Sequence, residues 1–337
     1  MERVYAALAR VPLFRNVRQE DIKLELLSGA LTNVCYKVTM GAAAYVLRLA
    51  GEGTSDYIDR AAEKYNARVA AAAGINVDVI YFDVENGTMV TRFVEGISMN
   101  GGQDFSREMG APIRAALLLK RVHRLRMVFE SRFDVFAEID DYVELLRGWL
   151  PVLPQEYYEA GQKARAVRRA LEVSPAPLVP CHNDPWPGNL LDAGARIYLI
   201  DWEYSGMNDP MWDLGDHSVE AGFGPEQDRL MLEAYCDGAV SPALYLRLEL
   251  YKAMSDLHWS LWGFVQHTND NPAEDFWSYA VGRLERCTAR MSSANFDLHL
   301  DAVRADRPPT PSLWPPPPPR ATHSALHKSL ARLQDGT

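Results

Sequence analysis

The chain has 337 residues, enough for two lobes with separate cores. Its formal net charge of −10 argues against nucleic acid as the main partner, since phosphate backbones need basic patches, but does not oppose a small cationic ligand. The four cysteines form no C-x-x-C pair and read as reduced thiols of a cytoplasmic protein. The N-terminus lacks a signal-peptide core, and no apolar run approaches the roughly 18 residues of a membrane span, so no membrane insertion is expected.

In chain order, residues 1–27 read as helical. Ser28 to Asn33, SGALTN, is a small polar loop before two strands, VCYKVTM and AAYVLRLA, that turn near Gly41. Such a loop can cover phosphates with backbone N–H groups, although most loops of this kind are plain turns. No G-x-x-x-x-G-K-[ST] is present, which excludes a P-loop reading. Arg48 ends the second strand and Glu63 lies in the next predicted helix, IDRAAEKYNARVAAAA. A strand cation paired with a helix acid is the phosphate-anchoring device of kinases, here with Arg; an ordinary surface pair is the competing reading. Val77 to Phe82 and Met89 to Val94 read as strands around Asn86-Gly87. Helices are predicted for Arg114 to Leu125, with apolar Ile113, Leu117, Leu118 and Val122, then for Tyr142 to Leu150 and Tyr157 to Leu171. Later helices run from Pro225 to Tyr235 and from Leu244 to about Gln266.

The stretch from Pro180 to Glu220 carries the chemistry. His182, Asp184 and Asn189 follow H-x-D-x-x-x-x-N, and the β-rich run Ile197 to Ile200 ends at Asp201 and Glu203. A carboxamide near a carboxylate suits a hard cation such as Mg²⁺, which also needs phosphate oxygens. In phosphoryl transfer an Asp orients the acceptor hydroxyl, an Asn five residues on holds Mg²⁺, and an Asp at a strand end holds Mg²⁺ across the nucleotide phosphates. Asp184, Asn189 and Asp201 have that order. Far downstream, Trp259 and Trp262 share a helix face. A Trp pair is more often core, yet aromatic walls are also how proteins hold quaternary ammonium groups. After about residue 300 the chain holds eight of its 21 prolines and reads as a disordered or polyproline tail.

With these residues in view, the chain resembles the choline/ethanolamine kinase family, within the aminoglycoside-phosphotransferase-like group. The motifs are CHNDPWPGNLL, LIDWEYSGMNDPMWDLGDHSVE and HWSLWGFVQ, and the resemblance spans about Leu27 to Cys287. It implies an α+β, two-lobed, protein-kinase-like fold with a small antiparallel-sheet N-lobe and a mainly helical C-lobe. Residues 1–95 would form the nucleotide-binding lobe, 96–300 the catalytic and substrate-binding lobe, and 301–337 the tail. The resemblance makes Asp184 the catalytic base and Asn189 and Asp201 the Mg²⁺ ligands. Thr32, Asn33, Arg48 and Glu63 would serve ATP. Tyr204, Trp259, Trp262 and Glu220 would hold the substrate, a choline or ethanolamine head. His182 would organise the loop, and Glu203 would support the metal ligands indirectly. Pro185 and Pro187 depart from the family's loop and stiffen it. Three alternatives stay open: a kinase of the same fold for thiamine, an aminoglycoside or a sugar; a metallohydrolase using His182, Asp184, Asp201 and His217; and a non-catalytic choline-binding protein.

Overall fold

In the computed structural model, which describes residues 2–27, 32–51, 54, 58–99, 110–293 and 295–305, Ile22–Leu27 is a strand (β1). The sequence reading had continued the first helix through it. The helix α1 covers only Glu2–Arg10, because the residue before Pro12 disfavours helical backbone. Beyond it, Ile22, Leu24 and Leu26 alternate with Lys23 and Glu25, a period of two that belongs to a strand. β1 pairs antiparallel with Val34–Met40 (β2), from Ile22 opposite Met40 to Leu27 opposite Cys35. β2 turns into Ala43–Leu49 (β3) through Gly41, whose φ of +58 suits a residue without Cβ. Val79–Phe82 (β4) and Met89–Arg92 (β5) complete a five-stranded antiparallel sheet in the order β1-β2-β3-β5-β4. Val4 and Leu8 of α1 close a core with Val38, Tyr45, Leu47 and Val90.

The chain divides into two compact units. Unit 1 runs to Met99 and also takes in Gly188–Tyr204; unit 2 takes in the residues up to Pro187 and those from Ser205. Unit 1 holds the sheet and helix α2 (Arg60–Ala72), capped by Asp59, whose carboxylate accepts the N–H groups of Ala61 and Ala62 at 3.0 Å. Ile97–Ser98 (β6) joins a second small sheet there with Leu190–Asp192 (β8) and Ile197–Leu199 (β9).

Unit 2 is mainly helical. Its one small sheet among the described residues pairs Val179–Cys181 (β7) with Gly206–Asn208 (β10). Helix α3 spans Ala111–His123 and buries Ala115, Ala116, Leu118, Leu119 and Val122, while Ile113 and Leu117 face solvent. The next helix, α4, begins at Val135 rather than Tyr142 and ends at Leu145, because Asp134 caps it through the N–H groups of Phe136 and Ala137. Glu156–Val173 (α5), Pro210–Glu220 (α6), Pro225–Cys236 (α7), Pro242–Thr268 (α8) and Phe276–Met291 (α9) follow. Phe296–Ala305 (α10) is helical where the tail was expected to start; the rest of that tail, like Ser28 to Leu31, lies outside the described residues. Every residue of α8 from Leu250 to Phe264 is buried, so this helix forms the core of unit 2. No helix among the described residues is long and apolar enough to cross a membrane.

Gly263 lets α9 approach α8 closely. A Cβ there would lie 2.8 Å from Cδ1 of Tyr279 and 3.1 Å from Cβ of Ala280. Gly282, on α9 itself, faces open space. G263A is therefore expected to destabilise the protein by about 1–3 kcal/mol through overpacking. G282A is expected to stabilise it by up to about 1 kcal/mol through helix propensity. Urea unfolding of both variants checks the pair, and equal effects would contradict the close approach.

Candidate active site

Unit 1 gathers five buried or partly buried charges at one point. Arg48, on β3, places Nη1 2.6 Å from Oε1 of Glu63 and 3.1 Å from Oδ1 of Asp201. Its Nη2 donates to the Gly87 carbonyl at 3.3 Å. Arg60, in the first turn of α2, reaches Oε2 of Glu63 at 2.7 Å and Oε2 of Glu203 at 3.1 Å, and its Nη2 donates to Thr54 Oγ1 at 2.7 Å. The amide of Asn33 lies 3.4 Å from both oxygens of Glu203. Thr32 precedes it and packs its carbonyl against Gly51, where a Cβ would come within 2.1 Å. Three carboxylates thus face two guanidiniums. Burial alone would favour a neutral Arg48, but Glu63, Asp201 and Glu203 more than reverse this and hold its proton. Burial, then the carboxylate of Asp201, pushes Glu203 up to about 7 against the pull of Arg48. The Cys35 thiol beside them is pushed up to about 12, first by burial, so it stays protonated.

The two proposed metal ligands flank the same end of the β8–β9 hairpin. Leu190 pairs with Leu199, and the Ile200 N–H donates to the Asn189 carbonyl at 2.9 Å. Asn189 therefore sits beside Ile200, one residue before Asp201. Asp201 has φ +65, in the left-handed region that few residues with a Cβ adopt. Ligand atoms of Glu63, Asp201 and Glu203 lie within 4.8 Å of one another. The set fits a hard cation: all donors are oxygens, and with all three carboxylates ionised one negative charge is left uncompensated by Arg48 and Arg60.

In unit 2 the loop around Asp184 is fixed through its backbone. Asp213 of α6 accepts the His182 and Asn183 N–H groups, each at 2.8 Å, one per carboxylate oxygen. His123 Nε2 lies 3.0 Å from Asp213, and its Nδ1 lies 2.8 Å from the Tyr235 hydroxyl. Asn183 has φ +68, and its carbonyl accepts the Trp212 indole N–H at 3.1 Å. The Pro185 carbonyl lies 2.7 Å from His217 Nδ1, so His217 is tied to the loop. Asp184 itself is partly exposed, and Pro187 opens a 3₁₀ turn to Asn189.

Helix α6 carries Asp213, Asp216 and Glu220 on one face, at i, i+3 and i+7. Its start is anchored by Asp209, which caps Met211 N–H at 2.9 Å and binds Arg247 Nε at 2.8 Å and the Tyr251 hydroxyl at 2.9 Å. Gly215 lets the helix lie against α8, where a Cβ would sit 2.9 Å from that of Tyr251. Asp216 Oδ1 then accepts from the Ser255 hydroxyl and the Trp259 indole N–H, each at 2.7 Å. Trp259 and Trp262 stand edge to face, centroids 5.8 Å apart, and Trp262 meets Phe276 at 5.4 Å and Tyr279 at 6.0 Å. Glu220 is paired with Arg283 at 2.6 Å, and Arg283 lies 4.7 Å over the Tyr279 ring. The Tyr279 hydroxyl is pushed up by burial, and Glu220, Asp184 and Asp216 add to this while Arg283 opposes it.

Of the residues singled out from the sequence, Asp184, Glu220, Trp259 and Trp262 lie in unit 2, and Thr32, Asn33, Arg48 and Glu63 lie in unit 1; Asn189, Asp201 and Tyr204, expected within the 96–300 lobe, also fall in unit 1. Sequence reading missed Arg60, Asp213, Asp216, Tyr279 and Arg283. The regular acid spacing on α6 was the available signal for two of them.

The profile of the choline/ethanolamine kinase family matches residues 24–230, more than half of the chain. The chain belongs to the choline/ethanolamine kinase family. A solved choline/ethanolamine kinase family protein from Mesorhizobium loti is 42% identical, with a TM-score of 0.78 over 90% of this chain and 98% of its own. The choline kinase LicA from Streptococcus pneumoniae is 26% identical, with a TM-score of 0.71 over 86% of this chain and 98% of its own, and LicA has also been solved with AMP. The probable ethanolamine kinase A of Dictyostelium discoideum is 25% identical over 312 residues, 82% of this chain and 87% of its own. The fold is accordingly α+β and protein-kinase-like, with an antiparallel-sheet N-terminal lobe and a mainly helical C-terminal one. This is a family of phosphotransferases that act on an alcohol group.

Arg60 gives the most direct stability test of the charge cluster. R60Q leaves Glu63, Asp201 and Glu203 with one guanidinium among them. The expected loss is about 3–5 kcal/mol, the usual result of breaking a buried pair. A change below about 0.5 kcal/mol in urea unfolding would show that Arg60 neutralises nothing there.

Proposed function

We propose that this kinase transfers the γ-phosphoryl group of ATP to the hydroxyl of choline, with Mg²⁺. The observation that carries the reading is the edge-to-face Trp259–Trp262 pair beside the buried carboxylate of Asp216, with Tyr279 edge-on to Trp262. Aromatic faces attract a methylated ammonium, each contact by about 0.5–2 kcal/mol, and acids nearby offset its charge. Ethanolamine is the second reading, favoured by buried carboxylate oxygens that can accept N–H groups.

The family resemblance supports the following roles, and the placement of the groups is compatible with them. In unit 1, Arg48 and Glu63 would anchor the nucleotide phosphates, Thr32 and Asn33 would contribute to the loop that covers them, and Asn189 and Asp201 would hold Mg²⁺. Bound there, Mg²⁺ would neutralise developing phosphate charge. In unit 2, Asp184 orients the substrate hydroxyl and accepts its proton as the new P–O bond forms and ADP leaves. Asp213 keeps Asp184 in position by gripping the two preceding backbone N–H groups. Trp259, Trp262, Glu220 and, from the resemblance, Tyr204 receive the substrate head. ATP use and unpaired cysteines fit a cytoplasmic protein.

Phosphate transfer from ATP to choline, ethanolamine and thiamine, side by side with Mg²⁺, tests the assignment. Choline is expected to be the best acceptor, and turnover of thiamine alone would overturn it. D184A is expected to lower kcat by about 10²–10⁴-fold while ATP still binds; near-normal turnover would remove Asp184 from the chemistry. W259A is expected to raise the choline KM more than the ATP KM, and equal rises would make Trp259 ordinary core.

A further inference from the structure

The buried acids of unit 2 are not equivalent. Glu220 has its own cation, with Arg283 at 2.6 Å. Asp256 is held by Arg286, at 2.7 Å and 3.1 Å, and by Arg290 at 3.4 Å. Asp228 is paired with Lys252, and Asp209 with Arg247 at 2.5 Å. Asp213 is satisfied by two backbone N–H groups and His123. Asp216 differs. It is fully buried, and its Oδ1 has only the neutral donors Ser255 and Trp259. Its Oδ2 is buried without a hydrogen-bond partner.

A carboxylate kept away from water without a cation costs several kcal/mol, so natural cores rarely retain one without a use. This one lies against the edge of the Trp259 ring, and Trp259 stands edge to face with Trp262, which in turn meets Tyr279. On the reading that the acceptor is an amino alcohol, we propose that Asp216 is a specificity-determining residue: its free oxygen answers the positive charge of the ammonium head, whereas the charge of Glu220 is already spent on Arg283. The same oxygen can take an N–H from an unmethylated head or lie against the methyl groups of a methylated one. Burial and then the charge of Glu220 hold the Asp216 carboxyl well above the usual carboxylate range, against the opposing pull of Ser255, Trp259 and the more distant Arg283, and an arriving ammonium would favour the ionised form.

The test compares choline with 3,3-dimethyl-1-butanol, its uncharged carbon analogue, in the wild type and in D216N. Asn keeps an acceptor for Ser255 and Trp259 and removes the charge. D216N is expected to raise the choline and ethanolamine KM by about tenfold or more. The ATP KM should stay within about twofold and the analogue should be little affected, so discrimination between charged and neutral acceptors collapses. Should D216N fail to fold, D216S removes the same charge and carries the same expectations. An unchanged choline KM with retained discrimination in the folded variant would overturn the role of Asp216 and leave the kinase reading intact. A wild type that phosphorylates neither amino alcohol would overturn both.

Discussion

Three carboxylates and two guanidiniums share one buried point in unit 1, and this unequal set governs what the unit can do. Arg48 joins β3 to α2 through Glu63 and to the segment after β9 through Asp201. Arg60 joins the start of α2 to Glu203. The planar guanidinium suits this work, because its fixed fork can meet two acids at once. Removing any one partner strands the others in a poorly hydrated place, where unpaired charge is expensive. The imbalance is chemically useful. On the proposed reading, an odd carboxylate beside Asn189 and Asp201 would favour a divalent cation, which in turn would favour nucleotide phosphates.

Unit 2 solves a different problem, that of holding a short loop still. Helix α6 does this from one face. Asp209 starts it, Gly215 seats it on α8, Asp213 grips the backbone ahead of Asp184, and Asp216 and Glu220 continue along the same line. Positive φ at Asn183 and at Asp201 marks strained backbone next to both groups assigned to the chemistry. Trp212 and His217 bind carbonyls of the same loop, which fits a segment stiffened further by Pro185 and Pro187.

Much of this was legible in the sequence. The order Asp184, Asn189, Asp201 and the apolar run between them stood out because reacting groups occupy fixed offsets on a loop and a strand. The two strands around Gly41 and the helix of Trp259 and Trp262 also read correctly, since period and turn chemistry are local. β1 was misread because six residues after a helical pattern give a weak period-two signal. The exposed Ile113 and Leu117 show the limit of counting apolar residues without knowing the face. Arg60, Arg283 and Tyr279 were invisible for another reason. Their meaning lies in partners far along the chain, as Arg60 meets Glu203 and Arg283 meets Glu220, and no local pattern records that pairing. The helix at Phe296–Ala305 escaped because the prolines just beyond it dominated the composition.

The proposed role of the surplus negative charge at Arg48, Arg60, Glu63, Asp201 and Glu203 is to take a divalent cation with a nucleotide. Calorimetric titration of ADP into the wild type and into D201N, with and without Mg²⁺, tests it most directly. Mg²⁺ is expected to tighten ADP binding to the wild type by about tenfold or more, and D201N to lose this dependence. Equal Mg²⁺ dependence in the two proteins would contradict that role.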